Sequence, residues 1–383
     1  MLSNTFFIRF FAVLLAVLFA STAFAAESGE IILGQSAPLS GSFSELGEAY
    51  RDGAQLYFDK INQGGGINGR KVRLVTLDDA YNAKRAIANT ENLIDKQKAL
   101  ALFGYMFTNT VFASLPIATR DNVPFVAPYA GNEELYTEPV NPMLFMTRAS
   151  YATELDTLLR HIQAMGLKRV ALARYDSVGG AAFEKDLELK MKAINLEPIG
   201  VATMKLNSLH PEEAVAKLVK LHPAAIVLGV SGGDAVAFVR QFRKASDNLP
   251  VQFLARSLIG GHQLVADLGA EGRGIVISQA APSPFNGKTR ISREYQSALK
   301  NVNIDFKSSA SYIGLEGYIA AKVMVEGLRR AGSNLNRHTL TAALETMHDY
   351  DLGDFTMNYS ANSHSGSKFV TVTVIGIGGH FIE

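Results

Sequence analysis

Gly229-Val230-Ser231-Gly232-Gly233 matches G-x-S-x-G, the turn that lifts a hydrolase serine off the end of a strand. Asp267 and then His364 or His380 follow in the order such a triad requires. No second glycine-rich segment of the HGGG type is present to build an oxyanion hole, and strand-to-helix turns favour these small residues in any case. An exported serine hydrolase acting through Ser231 is therefore the alternative reading, separable by alkyl fluorophosphonate labelling of Ser231. Gly64-Gly65-Gly66-Ile67-Asn68-Gly69 fits G-x-G-x-x-G, but a dinucleotide fingerprint follows a strand and opens a helix. Here the order is reversed, so the glycines read as a helix stop and a tight turn. The eight histidines, His161, His210, His222, His262, His338, His348, His364 and His380, show neither H-E-x-x-H nor paired short spacing, and no cofactor or metal is called for. Asp78-Asp79 ends a strand pattern where a turn is expected, which favours local capping over acid–base work. Tyr81, just beyond, either lines a cleft or covers the core.

A different chemistry is available at Phe103-Gly104-Tyr105-Met106-Phe107-Thr108-Asn109-Thr110, which joins a strand pattern to a helix beginning near Thr108 or Asn109. The unpaired amides and dipole at such a helix start suit a carboxylate. Thr108 is equally suited to be an N-cap, and the two roles are compatible.

These residues need a scaffold, and the chain supplies a repeating one. Strand patterns fall at 31–37, 70–79, 99–104, 123–128, 143–147, 169–174, 196–203, 224–230, 251–255, 274–279 and 368–377. Helical periodicity fills most of the gaps, at 45–62, 82–96, 108–120, 152–165, 182–194, 211–221 and 234–246. Alternating strands and helices imply an α/β protein with parallel sheets covered on both faces. After about residue 280 the rhythm changes: Pro282-Ser283-Pro284 interrupts it, and helices at 292–300, 309–331 and 337–347 precede the last strand. The chain is then expected to return to its first domain, complete its helical layer and cross once more.

Residues 1–25 read as an export signal, with Arg9 in a short n-region, an apolar run over 10–20 and Ala23-Phe24-Ala25 as the cleavage site. Cleavage after Ala25 leaves 358 of the 383 residues, enough for two domains with proper cores. Arg9 is the only charge removed, so 36 basic and 36 acidic side chains remain and the mature chain is formally neutral. That balance argues against nucleic acid as a partner. With no cysteine there is no lipid-attachment site and no disulfide framework, so a freely diffusing periplasmic protein is expected.

Ala37-Pro38-Leu39-Ser40-Gly41, the segment from Ile61-Asn62 through Gly64-Gly65-Gly66-Ile67-Asn68-Gly69-Arg70-Lys71, and Asp78-Asp79-Ala80 resemble the leucine/isoleucine/valine-binding branch of type I periplasmic solute-binding proteins of ABC transporters. Tyr129-Ala130-Gly131-Asn132-Glu133-Glu134-Leu135 and Ser311-Tyr312-Ile313-Gly314-Leu315-Glu316-Gly317-Tyr318 resemble a subgroup with poorly assigned ligands. The resemblance covers nearly the whole mature chain. It implies two Rossmann-like lobes joined by three crossings, with a small ligand enclosed when the lobes hinge shut. One lobe would comprise 27–147 plus 284–355 and the other 148–283 plus 356–383, with crossings near 147–150, 279–284 and 355–360. It also implies no catalysis, a monomer, a transient membrane permease partner, and as a further alternative a sensory partner in its place.

In the resembled family the loop after the third strand supplies serine or threonine to the ligand's α-carboxylate. Thr108 occupies that position, flanked by Phe107 and Asn109, and backbone amides of Tyr129, Ala130 and Gly131 are expected to join it. The second lobe departs from the amino-acid-binding pattern. Ser257, after Arg256, stands where those proteins place a glutamate for the ligand ammonium, and two aromatic positions are altered to Val178, beside Ser177, and Ser231. An ammonium buried without a carboxylate is expensive, which points to a carboxylate lacking the α-amino group, unless Asp176 or Asp234 supplies the charge.

Overall fold

The computed structural model describes residues 29–137, 139–247, 249–302 and 311–383; the expected export signal lies outside them. Two sheets organise the chain. The first is built from β1 (Ile31–Ala37), α1 (Ser44–Gln63), β2 (Val72–Asp78), α2 (Ala83–Asp95), β3 (Ala101–Phe103), α3 (Thr108–Arg120), β4 (Phe125–Val126) and β5 (Leu144–Phe145), with strand order β2-β1-β3-β4-β5. All its pairings are parallel, as alternation of strands and helices requires.

The second begins with α4 (Tyr151–Ala164) and continues through β6 (Val170–Tyr175), α5 (Val178–Ala193), β7 (Gly200–Met204), α6 (Glu212–Val219), β8 (Ala225–Gly229), α7 (Gly232–Ala245), β9 (Gln252–Ala255), α8 (His262–Leu268) and β10 (Val276–Gln279). Then α9 (Arg290–Lys300), α10 (Tyr312–Ala331), α11 (Arg337–Glu345) and a small hairpin of β11 (Tyr350–Asp351) and β12 (Thr356–Met357) precede β13 (Thr371–Ile375) and β14 (Phe381–Ile382). The second sheet has the order β14-β13-β10-β9-β8-β6-β7, and its last two strands run antiparallel. The short α8 and the hairpin have no counterpart in the sequence pattern, since neither is long enough to show a period.

The late helices α9 and α10 pack on α1. Helix α10 is buried along most of its length and lies against α1 so closely that a Cβ on Gly53 would meet the Gly314 carbonyl oxygen at 1.9 Å. A Cβ on Gly317 would likewise meet the Tyr50 carbonyl oxygen at 2.1 Å. Small residues on both helices let the backbones touch, and Tyr50, Tyr57, Phe58, Leu315, Tyr318 and Ile319 pack around the contact.

One assignment changes. Residues 356–366, expected in the second lobe, are bonded to the first. Met146 bridges Ser365, the Tyr359 hydroxyl donates to the Met146 carbonyl at 3.0 Å, and His364 stacks on Phe145 at 3.9 Å between ring centroids. A two-residue β5 leaves its edge unpaired, and this loop covers it.

Candidate functional site

The loop after β1 in one sheet faces the loops after β7, β8 and β9 in the other across an opening, and α/β proteins place their ligands beyond such carboxyl strand ends. On the first-lobe side the backbone is strained. Ala80, Tyr81, Phe107 and Ala127, all just past strand ends, have φ of 46°, 61°, 69° and 56°. Non-glycine residues avoid this region at a cost of about 1–3 kcal/mol each, and such strain clusters at binding sites. Hydrogen bonds hold it in place. Asp79 accepts from the Ser36 hydroxyl at 2.8 Å and from the Tyr81 amide at 2.8 Å, while the Phe107 amide donates to the Tyr129 carbonyl at 2.8 Å. Asp78 accepts from the Leu39 and Ala80 amides at 2.8 and 2.9 Å and from the Ser40 hydroxyl at 2.7 Å. Burial pushes the Asp78 carboxyl upward, but these donors overcome it and hold the pKa at about 2. The acidic pair is thus a capping device.

Phe43, Tyr81 and Phe107 form an aromatic trio with centroid distances of 4.7, 5.0 and 5.1 Å, and Phe107 continues to Tyr129 at 6.3 Å. Behind it α3 begins at Thr108 with no side-chain cap, leaving its first amides directed out of the helix. Thr108 is half-buried and Asn109 exposed; Tyr129, Ala130 and Gly131 are buried. Tyr151, at the start of α4, joins the two walls. Its amide donates to the Gly131 carbonyl at 2.6 Å, its hydroxyl is approached by Thr108, and a Cβ on Gly131 would sit 2.4 Å from its ring.

On the second-lobe side Ser177 caps α5, accepting from the Gly180 amide at 3.1 Å, and Val178 is 90 % exposed at the rim. Ser231 precedes α7; its amide donates to the Tyr175 hydroxyl at 3.0 Å, which donates back to the Ser231 carbonyl at 3.2 Å. His364 belongs to the first lobe, away from Ser231, and Asp267 accepts from Gln263 at 2.6 Å. Among the described residues no hydrogen bond joins Ser231, Asp267 and either His364 or His380, so the hydrolase order of residues is not assembled into a bonded triad. Asp234 accepts the Asn207 and Leu209 amides at 2.8 and 2.9 Å, so both its oxygens hold that loop.

Ser257 is placed elsewhere than the resemblance suggests. It is buried in a network at the base of the cleft, centred on Arg148. Arg148 Nε donates to Glu316 Oε2 at 3.0 Å, and Nη2 donates to Glu154 Oε1 at 3.0 Å and to Ser257 Oγ at 2.6 Å. Glu154 also accepts from the Ser257 amide at 2.9 Å, the Ser257 hydroxyl at 3.0 Å and the Ser278 hydroxyl at 2.7 Å. Burial disfavours the Arg148 guanidinium, but Glu316 and Glu154 more than offset this and raise its pKa well above the usual value. An acidic side chain at 257 would face Glu154. Arg256 alone of that loop points to the aromatic wall, with its guanidinium 4.4 Å from the Tyr151 ring and 4.0 Å from the Phe183 ring.

The lobes meet across the mouth. The Gln263 amide donates to Glu45 Oε1 at 2.8 Å, and an opening of about 370 Å³ lies between Ser42, Phe43 and Glu45 on one side and Asn207, Gly232 and Gln263 on the other. Phe43, Tyr151, Arg148, Glu154 and Glu316 escaped the sequence pattern. The one available signal was Arg148 itself, a charge two positions past the apolar run Leu144-Phe145-Met146.

The chain matches the family model described as "Periplasmic binding protein" over residues 30–378. It is 23% identical over 379 residues to Leu/Ile/Val-binding protein homolog 8 of Brucella suis, covering 95% of this chain and 91% of that one. The crystal structure of a substrate-binding periplasmic protein from Ralstonia solanacearum superposes with a TM-score of 0.83 at 31% identity, over 92% of this chain and 99% of that one. A solute-binding protein of an ABC transporter from R. palustris, in complex with benzoate, shares the fold with a TM-score of 0.79 at 21% identity, over 92% and 95% of the two chains.

Proposed function

The chain belongs to the periplasmic binding protein family, and we propose that it is the receptor of an uptake system for a small carboxylate-bearing solute, which it hands to a membrane permease. Proteins of this family bind substrates and are not enzymes. The observation that carries the ligand class is the uncapped start of α3 at the cleft, beside Thr108 and the Tyr129–Gly131 loop, where amides and helix dipole favour an anion. Of the acids on the second wall, Glu154 and Glu316 pair with Arg148 and Asp234 holds its own loop, which leaves the exposed Asp176, just past β6, as the candidate to meet an ammonium. The benzoate complex of the R. palustris protein is consistent with an acid that lacks an α-amino group.

On this reading the export signal is removed after Ala25 and the protein works in the periplasm. The ligand docks on the first lobe, and contacts to the second then favour the closed state. We place the hinge at 147–150, 279–284 and, after the loop bonded to β5, at 367–370.

The test is a thermal-shift screen of the mature protein, stripped of ligand by reversible unfolding, against amino acids and their deaminated carboxylates. A ligand at about a hundred times its Kd adds roughly 2.7 kcal/mol, a clear rise in Tm. Stabilisation by carboxylates without the amino group is expected. A response to amino acids alone would mean that Asp176 serves the ammonium and would overturn the deaminated-acid reading, and no response to either would overturn the carboxylate reading.

A further inference from the structure

The second-lobe wall carries a cation that the fold leaves without a partner. Arg256 directly follows β9, at the cleft end of the strand, and its guanidinium packs against the rings of Tyr151 and Phe183. Among the described residues it makes no hydrogen bond and no ion pair. Of the nearby carboxylates, Glu154 is bonded to Arg148, Ser257 and Ser278 and Glu316 to Arg148, while Glu154 and Asp186 act on Arg256 through space without bonding to it. Burial lowers the Arg256 pKa, and the acidic groups around it do not restore it. This is the opposite of Arg148, whose two carboxylates raise it. Contacts with two rings restrict where the guanidinium sits, and its forked donors suit a planar acceptor such as a carboxylate.

Tyr151 sets the spacing. Thr108 at the start of α3 comes up to its hydroxyl, while Arg256 lies over its ring. The first lobe thus presents an anion-favouring helix start and the second an unneutralised guanidinium, one tyrosine side chain apart. Resting on the carboxylate reading above, we propose that the ligand carries two acidic groups, one held at Thr108 and the other by Arg256, so that the receptor selects small dicarboxylates. The second carboxylate would supply the lobe-bridging contact, since Arg256 can be neutralised only when the cleft closes on a diacid.

Calorimetric titration of the full mature protein with matched acids tests this, using glutarate against valerate and terephthalate against benzoate. At least one diacid is expected to bind ten-fold or more tightly than its monoacid. Arg256→Gln should abolish that preference by weakening the diacid while leaving the monoacid within about two-fold, whereas Arg256→Lys should keep part of it. Thr108→Ala should weaken both acids of the pair. If monoacids bind as well as their diacids, or Arg256→Gln weakens both equally, the arginine shares a single carboxylate and the diacid proposal is wrong. If no acid of either kind binds the native protein, the carboxylate reading itself falls, a different outcome from loss of the preference alone.

Discussion

Glu316→Gln should remove a pH dependence of stability that the Arg148 cluster builds in. Arg148 is 2 % exposed and faces two carboxylates with a single charge, so one negative charge is left over in a dry site. The two acids are not equivalent. Glu154 collects donors from Arg148, Ser257 and Ser278, whereas Glu316 accepts only from Arg148 Nε and its Oε1 is buried without a partner. Burial, opposed by Arg148 and reinforced by Glu154, raises the Glu316 pKa from 4.5 to about 7. Because the folded value lies above the unfolded one, the folded state takes up the proton more readily. The stabilisation is complete below about pH 4.5 and is lost as pH rises through 7. At about 1.4 kcal/mol per pKa unit the loss is roughly 3 kcal/mol. Glutamine keeps the shape and the acceptor for Arg148 without the charge. Urea unfolding of both proteins at pH 5, 6, 7 and 8 measures the effect, and the native protein should lose about 2–3 kcal/mol relative to the variant across that range. A difference constant to within about 0.5 kcal/mol would mean that Glu316 does not titrate in this range, and the raised pKa would be refuted.

Thr108→Ala should weaken the acid that stabilises the native protein about ten-fold, the worth of one hydrogen bond to a charged group, with the ligand-free Tm unchanged; unchanged affinity in a titration removes Thr108 from the site. Gly317→Ala should destabilise by about 1–3 kcal/mol or more, because its Cβ would lie 2.1 Å from the Tyr50 carbonyl oxygen and the two helices would have to separate. A melting temperature equal to that of the native protein would show that α1 and α10 are not in backbone contact.

The layers of this fold are local facts, and they were legible. Strand β1, helix α1 and the glycine stop at 64–66 show their period, length and punctuation within fifty residues, so alternation alone announced parallel sheets. Elements too short for a period escaped, as α8 and the β11–β12 hairpin did. So did the placement of 356–366, which depends on the open edge of a β5 that is two residues long. The start of α3 at Thr108 was legible for the same local reason: a strand-to-helix turn announces itself within a few residues.

The second wall was not legible, because its chemistry depends on which charges meet. By itself the sequence determined an exported α/β chain with two covered sheets and an anion-suited helix start, since composition and periodicity act through neighbours along the chain. Only tertiary structure decided that Ser257 and Arg256, adjacent in sequence, go opposite ways. Arg148 and Glu154, brought in by the first crossing, and Glu316, carried back by α10, claim Ser257 for the buried network and leave Arg256 against the rings of Tyr151 and Phe183. Charge compensation in a dry interior acts over a few ångströms of space, whatever the distance along the chain, and 168 positions separate Arg148 from Glu316.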